Sequence, residues 1–565
     1  MSLISSVQLA NNSLRANQIG LQVVGQNIAN ANTPGYIREE VLFTPGGTQR
    51  VGGLLLGMGV EVSGVVQKID KFLEERLRGA TSDRTSSETQ EQTYLQLEGL
   101  IGELSDTDLS TALTSFFSSI QEVLNQPESV SVRNLAVLEG RTLAGDIGRL
   151  ADRVTSLRAD QNKRIQSMAG DVNRLTAEIQ RLNIQISETE GSDITGSDAV
   201  GLRDQRGNAL SALAKLVNVR VDEQADSGVN VFLGGDFLVF GGTRREVEVQ
   251  LDKDRGLTVA SLHLSETDSP LEATSGELAG LLVARDEILG GFIDDLNEFA
   301  GALVFEFNKI FSSGQGLTGY RSLTSQVSVD SVDQPLDAAG LPFTPVNGSF
   351  QVQVYNRQTG LAKTTNVAVD LTGGKDDLTL EDLRAALDDI DGITATISPT
   401  RNLTIQSESQ NQDIAFANDN SGLLAALGLN TFFVGQDAYS IGVNQVLIDD
   451  PSKFAASRTG IGADTTNAID LANFYDLPLT GREGTTLNVL YERLTAETAQ
   501  ASGVAVAVAE GYRVFEQALT GQHLALTGVS LDEEAVRMIT YQKAFQASAR
   551  FIATLTELLD ILVSL

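Results

Sequence analysis

Two heptad seams lie at the extreme ends of this 565-residue chain, and they constrain its fold more than any other feature. Near the start, Leu3, Val7, Ala10, Leu14, Asn17, Leu21, Val24 and Ile28 follow a 4-3-4-3-4-3-4 spacing, the a/d stripe of a coiled-coil helix. Near the end, Met538, Tyr541, Phe545, Ser548, Ile552, Leu555, Leu559 and Leu562 follow the complementary 3-4-3-4-3-4-3 spacing. Only Asn17 and Ser548 are polar. Helices of this kind draw most of their stability from packing the apolar face. The two ends are therefore expected to form a coiled coil with each other, with neighbouring copies, or both. A core helix in an ordinary domain would explain either seam alone. Two matched seams at opposite termini imply instead that the middle is an excursion from a terminal helical root.

The first seam is cut off by "ANANTPGY" (29–36). Asn30 and Asn32 are expected to close the helix by tolerating left-handed geometry. Pro34 bars continuation, and with Gly35 behind it fits the two central positions of a type II turn. From Tyr36 the chain reads as extended, through the Gly- and Val-rich run to Asp70.

Residues 84–125 read as two helices, the second stopped by Pro127. From Ser131 to Glu190 there is no proline, and apolar positions recur from Leu143 to Ile186 with a slip near Gln161, predicting a rod on the order of 90 Å. A short helix at 202–216 leads into strands flanking a hairpin turn at 225–228. Helix returns at 276–312. "SSGQGLTG" (312–319) reads as a linker, and 321–435 as an α+β insert whose one helix is "LTLEDLRAALDDI". A loop-rich stretch then precedes helices at 488–519 and 531–564.

The formal net charge is −33, unevenly placed: residues 1–80 carry +1 and 531–565 carry −2. Near-neutral ends suit packing against protein, and an acidic middle suits water. This balance argues against nucleic acid and against an anionic membrane surface. No cysteine is present, so disulfides and thiolate metal sites are excluded. The start lacks a signal-peptide pattern, and no run is long enough to span a membrane. The expectation is a cytosolic protein, or one exported by a route that reads no cleavable signal. The two histidines, His263 and His523, have no motif partners. "LTGGKDD" around Lys375 lacks phosphate-loop spacing, and "DDIDG" (388–392) lacks the first and last ligands of a calcium loop. No catalytic, metal or cofactor site is expected, and the chain does not read as an enzyme.

"ANNSLRANQIGLQVVGQNIANANTPGYIREEV" (10–41) resembles the N-terminal signature of the bacterial flagellar rod, hook and hook-associated axial proteins. The match falls on Ala29, Asn30, Thr33, Pro34, Gly35 and Tyr36. The closing segment, with "GVSLDEE" (528–534) and "YQKAFQASA" (541–549), resembles the matching C-terminal signature. The long helical middle, "LRDQRGNALSALAKLVNVRVDEQADSGVNVFLGG" (202–235) and "LLAALGLNTFF" (423–433) are similar to the hook-associated members that form the hook–filament junction. The "SSGQGLTG" segment matches that branch only loosely, lacking its Asp.

The resemblance implies a structural subunit exported through the flagellum's type III channel and located outside the cell, at the hook–filament junction. Its implied partners are about ten further copies in a ring of about eleven, the hook subunit, a second junction protein and an export chaperone. The ring is needed for filament assembly. A hook or distal-rod subunit is the alternative within the family, disfavoured by the long helix. A secreted adhesin or binding module would explain the insert but not the two signatures.

The expected fold is multidomain α+β: a coiled-coil root, a helical rod domain with a small β module, and a mainly-β outer insert. The expected divisions are 1–83 (inner axial), 84–320 (rod, with the β module at about 216–275), 321–435 (outer insert), 436–530 (return of the rod) and 531–565 (inner axial). The expected assembly seam comprises Leu3, Val7, Leu14, Asn17, Leu21, Val24, Ile28, Met538, Tyr541, Phe545, Ile552, Leu555, Leu559 and Leu562. In the free monomer these seams lack neighbouring copies, so the ends are expected to be mobile until the ring forms. A polar seam residue fixes register at a cost in stability. Asn17→Leu should therefore raise helix stability in thermal melts while lowering correct assembly in motility assays; unchanged assembly would contradict the register role.

Overall fold

The computed structural model describes residues 3–51, 54–102, 109–191, 197–374, 377–462, 464–479 and 484–564; the side chains of Leu3 and Leu562 and the discounted Lys375 segment lie outside the described residues. Helix α1 (Leu3–Ala29) is followed by four short strands, β1 (Glu39–Pro45), β2 (Thr48–Val51), β3 (Leu54–Gly57) and β4 (Val60–Gln67). β1 pairs antiparallel with β4, and β2 with β3. Helix α2 (Lys71–Gly102) begins earlier than the expected position 84. Asp70 sets that start, its carboxylate accepting the Leu73 N–H at 3.1 Å as an N-cap does. Then come α3 (Leu109–Asn125) and α4 (Val130–Glu190), which spans the proline-free run.

Helix α5 (Val200–Leu216) leads into the β module: β5 (Val219–Glu223), β6 (Val229–Leu233), β7 (Asp236–Phe240), β8 (Thr243–Arg244), β9 (Val247–Asp254), β10 (Leu257–Leu264) and β11 (Ser269–Pro270). They form a four-stranded sheet, β5-β6-β7-β8, and a three-stranded one, β11-β10-β9. The turn at 225–228 is the hairpin expected there: the Gln224 N–H donates to Gly228 O at 2.7 Å, and Ser227 takes a φ of 64°.

The helix expected at 276–312 is three pieces: α6 (Gly276–Val283), a π turn (Ala284–Ile288) and α7 (Leu289–Ser312). The insert follows, with β12 (Ser322–Thr324), β13 (Gly348–Asn356), β14 (Ala362–Val369), α8 (Leu380–Asp388), β15 (Ile393–Ile397), β16 (Leu403–Ser407), β17 (Gln412–Ala417) and α9 (Leu423–Leu427). Its sheets run β14-β13-β17 and β12-β16-β15. The helix predicted from "LTLEDLRAALDDI" is α8, started by a capping box between Thr379 and Asp382. Two-residue strands β18 (Phe433–Val434) and β19 (Gly442–Val443) and short helices α10 (Gln445–Asp449) and α11 (Thr466–Ala472) occupy the stretch up to 487, and the helix expected at 488–519 begins as α12 (Leu487–Glu492) and a π turn (Arg493–Glu497) before its main run. Helix α13 (Thr498–Thr527) runs past the expected end at 519, and α14 (Leu531–Ser564) closes the chain.

The residues group into two compact units, one of Met1–Gln92, Ala159–Arg285 and Val504–Leu565, the other of Thr93–Arg158 and Asp286–Gly503. In the first, Ile165, Met168, Val172, Leu175 and Ile179 of α4 share a core with Leu210 and Leu213 of α5 and with Val231, Val239, Ala260 and Leu262 of the sheets. Three α4 asparagines fasten the sheets to the helix. Each side-chain amide pairs with a peptide unit of a strand, donating to its carbonyl and accepting its N–H: Asn162 with Thr258 O and Ala260 N, Asn173 with Val247, Asn183 with Val229, all at 2.7–3.1 Å. Buried Arg285 in the π turn joins Asn162, donating to its Oδ1 at 3.0 Å.

In the second unit, Phe116, Phe307, Phe311, Phe432 and Phe454 meet with ring centroids 5.4–6.3 Å apart. Segment 312–319 is not the flexible linker its composition suggests. Gln315 is buried and exchanges backbone hydrogen bonds with Ser457 at 2.7 and 3.0 Å, and the Leu317 N–H donates to Ser452 O at 2.7 Å. The glycines are there for close packing: a Cβ on Gly319 would lie 2.7 Å from Asp413 Cβ.

Candidate functional site

The segment after α1 reverses the chain. The Tyr36 N–H donates to Thr33 O at 3.2 Å and Gly35 has φ 76°, so Thr33-Pro34-Gly35-Tyr36 is the expected type II turn. Neither asparagine takes left-handed geometry, contrary to expectation. Asn30 closes the helix through hydrogen bonds instead: its backbone N–H and side-chain amide both donate to Gln26 O, at 2.9 and 3.1 Å, and its Oδ1 accepts from Thr33 Oγ1 at 3.3 Å. Any Cβ on Gly35 would collide with the Asn208 side chain of α5.

The reversal returns residues 36–39 to the end of α1 and to the start of α14. Tyr36 Oη donates to Asn27 Oδ1 at 2.8 Å; Asn27 Oδ1 also accepts the Glu39 N–H at 3.0 Å, and its Nδ2 donates to Glu39 O at 3.0 Å and Glu534 Oε2 at 3.2 Å. Arg38 donates to Glu534 Oε1 from Nε at 2.9 Å and Nη2 at 2.6 Å, and pairs with Glu533 at 2.9 Å. The Arg38 N–H donates to Thr527 O, on the last residue of α13, at 2.9 Å. Glu534 is fully buried, and Asn27, Arg38 and Glu39 nearly so. Burial works against the Arg38 charge, but Glu534 and Glu533 more than offset it and hold the guanidinium above its ordinary range. Burial, reinforced by Glu39 and Asp204, pushes the Tyr36 phenol upward. Burial likewise raises the Glu39 carboxyl.

Helix α5 buttresses this clasp with its "LRDQRGN" stretch. Gln67 Nε2 donates to Asp204 Oδ1 at 2.6 Å. Burial pushes the Asp204 carboxyl up to about 6, against hydrogen bonds from the Ile37 backbone and Gln67. One residue earlier on α5, Arg203 donates twice to Glu190 at 2.7 Å and once to Glu223 at 2.9 Å. Burial raises the Glu190 carboxyl, yet Arg203 draws it down to about 2.

The seam residues fall as follows. Val24 and Leu555 are buried; Val7, Leu14, Asn17, Leu21, Ile28, Met538, Tyr541, Phe545, Ile552 and Leu559 are half-buried. In the turn, Ala29, Thr33, Pro34 and Gly35 are exposed, and Asn30 and Tyr36 half-buried. α1 and α14 lie against each other: the Tyr541 ring is 3.0 Å from where a Cβ of Gly20 would stand, and Ser13 Oγ is 3.1 Å from Ser548 Oγ. Asn17 donates to Ser13 O at 2.7 Å, so the polar seam residues of both helices converge on Ser13.

Asn27, Arg38, Glu39, Glu534 and Asp204 were not singled out by sequence reasoning. The available signal was charge: "REE" (38–40) and "DEE" (532–534) stand out in nearly neutral ends. The cluster carries no reacting geometry; it binds and orients. Among the described residues no group of three His, Cys, Asp or Glu side chains is placed to hold a metal ion, and no helix is long and apolar enough to cross a membrane.

Two outcomes are expected. Gly35→Ala forces a side chain into a positive-φ turn and into Asn208, and should lower stability by about 2 kcal/mol or more, read from the urea midpoint. Asp204 is protonated in both states below about pH 4. Its native carboxyl resists ionisation up to about pH 6, so its contribution is lost as pH rises through that window. Asp204→Asn should match the parent chain near pH 4 and exceed its stability by about 1–2 kcal/mol at pH 7, a magnitude discounted for partial exposure; an equal difference at both pH values would refute this.

Residues 94–324 match the model of the flagellar hook-associated protein FlgK helical domain, and residues 521–565 that of the flagellar basal body rod FlgEFG protein C-terminal region. The chain is 23% identical to flagellar hook-associated protein 1 of Salmonella typhimurium, covering 99% of this chain and 100% of that one. It is 24% identical to the protein of that name in Bacillus subtilis, covering 99% and 97%. The fold is similar to the flagellar hook junction protein FlgK from Burkholderia pseudomallei, with TM-score 0.50 and 15% identity over 80% of this chain and 100% of that one. Along its full length the chain is thus similar to flagellar hook-associated protein 1, and these matches support a structural role in the bacterial flagellum.

Proposed function

We propose that this protein is the subunit of a ring that joins hook to filament and is needed for filament assembly. The observation that carries the reading is the buried clasp of Asn27, Arg38 and Glu534, which brings the bases of both terminal helices to one place. A subunit whose two ends must enter one channel wall together needs such a join. Relatedness to hook-associated protein 1 sequences along the full length of the chain supports the same reading.

In this account segments 1–83 and 531–565 are inner axial, with the predicted heptad seam as their packing surface. Segments 84–320 and 436–530 form the helical rod domain, and 321–435 is the outermost module. Export is through the flagellar channel with an export chaperone, and the neighbours are further copies, the hook subunit and a second junction protein. The long α4 supports this over a hook or distal-rod subunit.

Immunogold electron microscopy of intact flagella, with antibody against residues 321–435, is the test. A single narrow band between hook and filament is expected. Label along the whole hook would make the chain a hook subunit, and no flagellar label would favour an adhesin.

A further inference from the structure

Helix α5 carries a second arginine after Arg203, and this one has no counterion. Arg206 is 5% exposed. Its Nη1 donates to Asn183 Oδ1 at 3.1 Å and to Ser227 O at 2.7 Å. Among the described residues no carboxylate lies within ion-pair distance of Arg206, and its Nε and Nη2 make no hydrogen bond. Glu223, Glu190 and Glu74 act on it only from further off. Each of them is already held, Glu190 and Glu223 by Arg203, Glu223 also by Lys71, and Glu74 by Arg78. Burial and the like charge of Arg203 pull the Arg206 guanidinium down to about 10, so it stays charged at neutral pH. A charge taken out of water is costly unless it is paired.

Arg206 lines a cavity of 280 Å³ walled by α2, α5 and strands β5 and β6, the space of roughly nine water molecules. Much of the wall is apolar, from Ile37, Leu210, Val221 and Val229. Phe72, in the first turn of α2, also lines it and is 68% exposed. Scattered exposed apolar side chains are ordinary. A phenyl ring open to water on the wall of a cavity that also holds an unpaired guanidinium is the chemistry of a site for an amphipathic anion. The wall carries four basic and three acidic side chains, a surplus of one positive charge. A monoanion balances that surplus, whereas a phosphate dianion exceeds it and meets Glu74 and Glu223. The planar fork of an arginine matches a carboxylate.

We propose that this cavity binds a small organic monocarboxylate, its carboxylate on Nε and Nη2 of Arg206 and its apolar tail against Leu210, Val221 and Phe72. Hexanoate is the probe, titrated by calorimetry into the purified full-length protein at constant ionic strength. One site is expected, with a Kd on the order of 1 mM or tighter. Hexanamide, the neutral analogue, and inorganic phosphate should each bind about tenfold more weakly or worse. Arg206→Met should abolish hexanoate binding. Arg206 also holds the 225–228 turn, so Phe72→Ala serves as the second variant, at an exposed position. It should leave the melting temperature unchanged and weaken hexanoate by about threefold or more. Equal affinity for hexanoate and hexanamide would make the cavity a plain apolar void and overturn the proposal. Phosphate binding as tightly as hexanoate would overturn the class of ligand. Absence of hexanoate binding, or full binding by either variant, would overturn the site. None of these outcomes moves the immunogold band, so this site and the junction reading fail separately.

Discussion

The Arg38–Glu534 pair is the interaction on which the arrangement of the chain ends depends. It joins residues nearly 500 positions apart, with side chains almost wholly removed from water. Burying two charges is costly unless every lone pair and proton is engaged. Here both Glu534 oxygens are engaged, one by Arg38 and one by Asn27, and Arg38 reaches Glu533 as well. The type II turn makes this possible: it brings Tyr36 and Glu39 back to Asn27 of α1 and so sets Arg38 against the start of α14. Gly35 is required in the turn both for its backbone and for room beside Asn208.

Asn27 shows a device that the molecule uses repeatedly. A helix asparagine presents its amide to a strand peptide and satisfies both a carbonyl and an N–H that the sheet leaves open. Asn27 does this for Glu39, and Asn162, Asn173 and Asn183 do it for the β module. Asn308 does it for Phe432 and Phe433 in the other unit. Apolar packing alone would let a helix slide along a sheet. Paired amides fix its position, because a shift strands two buried polar groups at each pin.

The sequence made visible whatever depends on local period or local backbone limits. The stripe from Leu143 to Ile186 gave α4, and the slip near Gln161 marks where buried Arg158, Gln161 and Asn162 replace apolar residues. Thr33-Pro34-Gly35-Tyr36 was readable because proline and glycine leave few alternatives. The clasp was not readable, since nothing local links Arg38 to Glu534. Segment 312–319 misled because glycines that permit close packing look the same as glycines in a flexible linker. The π turns depend on partners across space, and heptad spacing alone does not say which face is inside.

The buried polar clasp makes the two terminal helices one cooperative element. Hydrogen exchange of the purified chain, with and without Glu534→Ala, tests it most directly. The seam alone predicts mobile ends in the free chain, but with the clasp in place the amides of 21–28 and 534–545 should be protected in the parent chain and lose protection together, by about 2–4 kcal/mol, in the variant, because Arg38 and Asn27 are left buried with fewer partners. Residues 321–435 should exchange as before. If α1 keeps its protection while α14 alone loosens, or if neither changes, the ends are held by their apolar seams and the clasp is incidental.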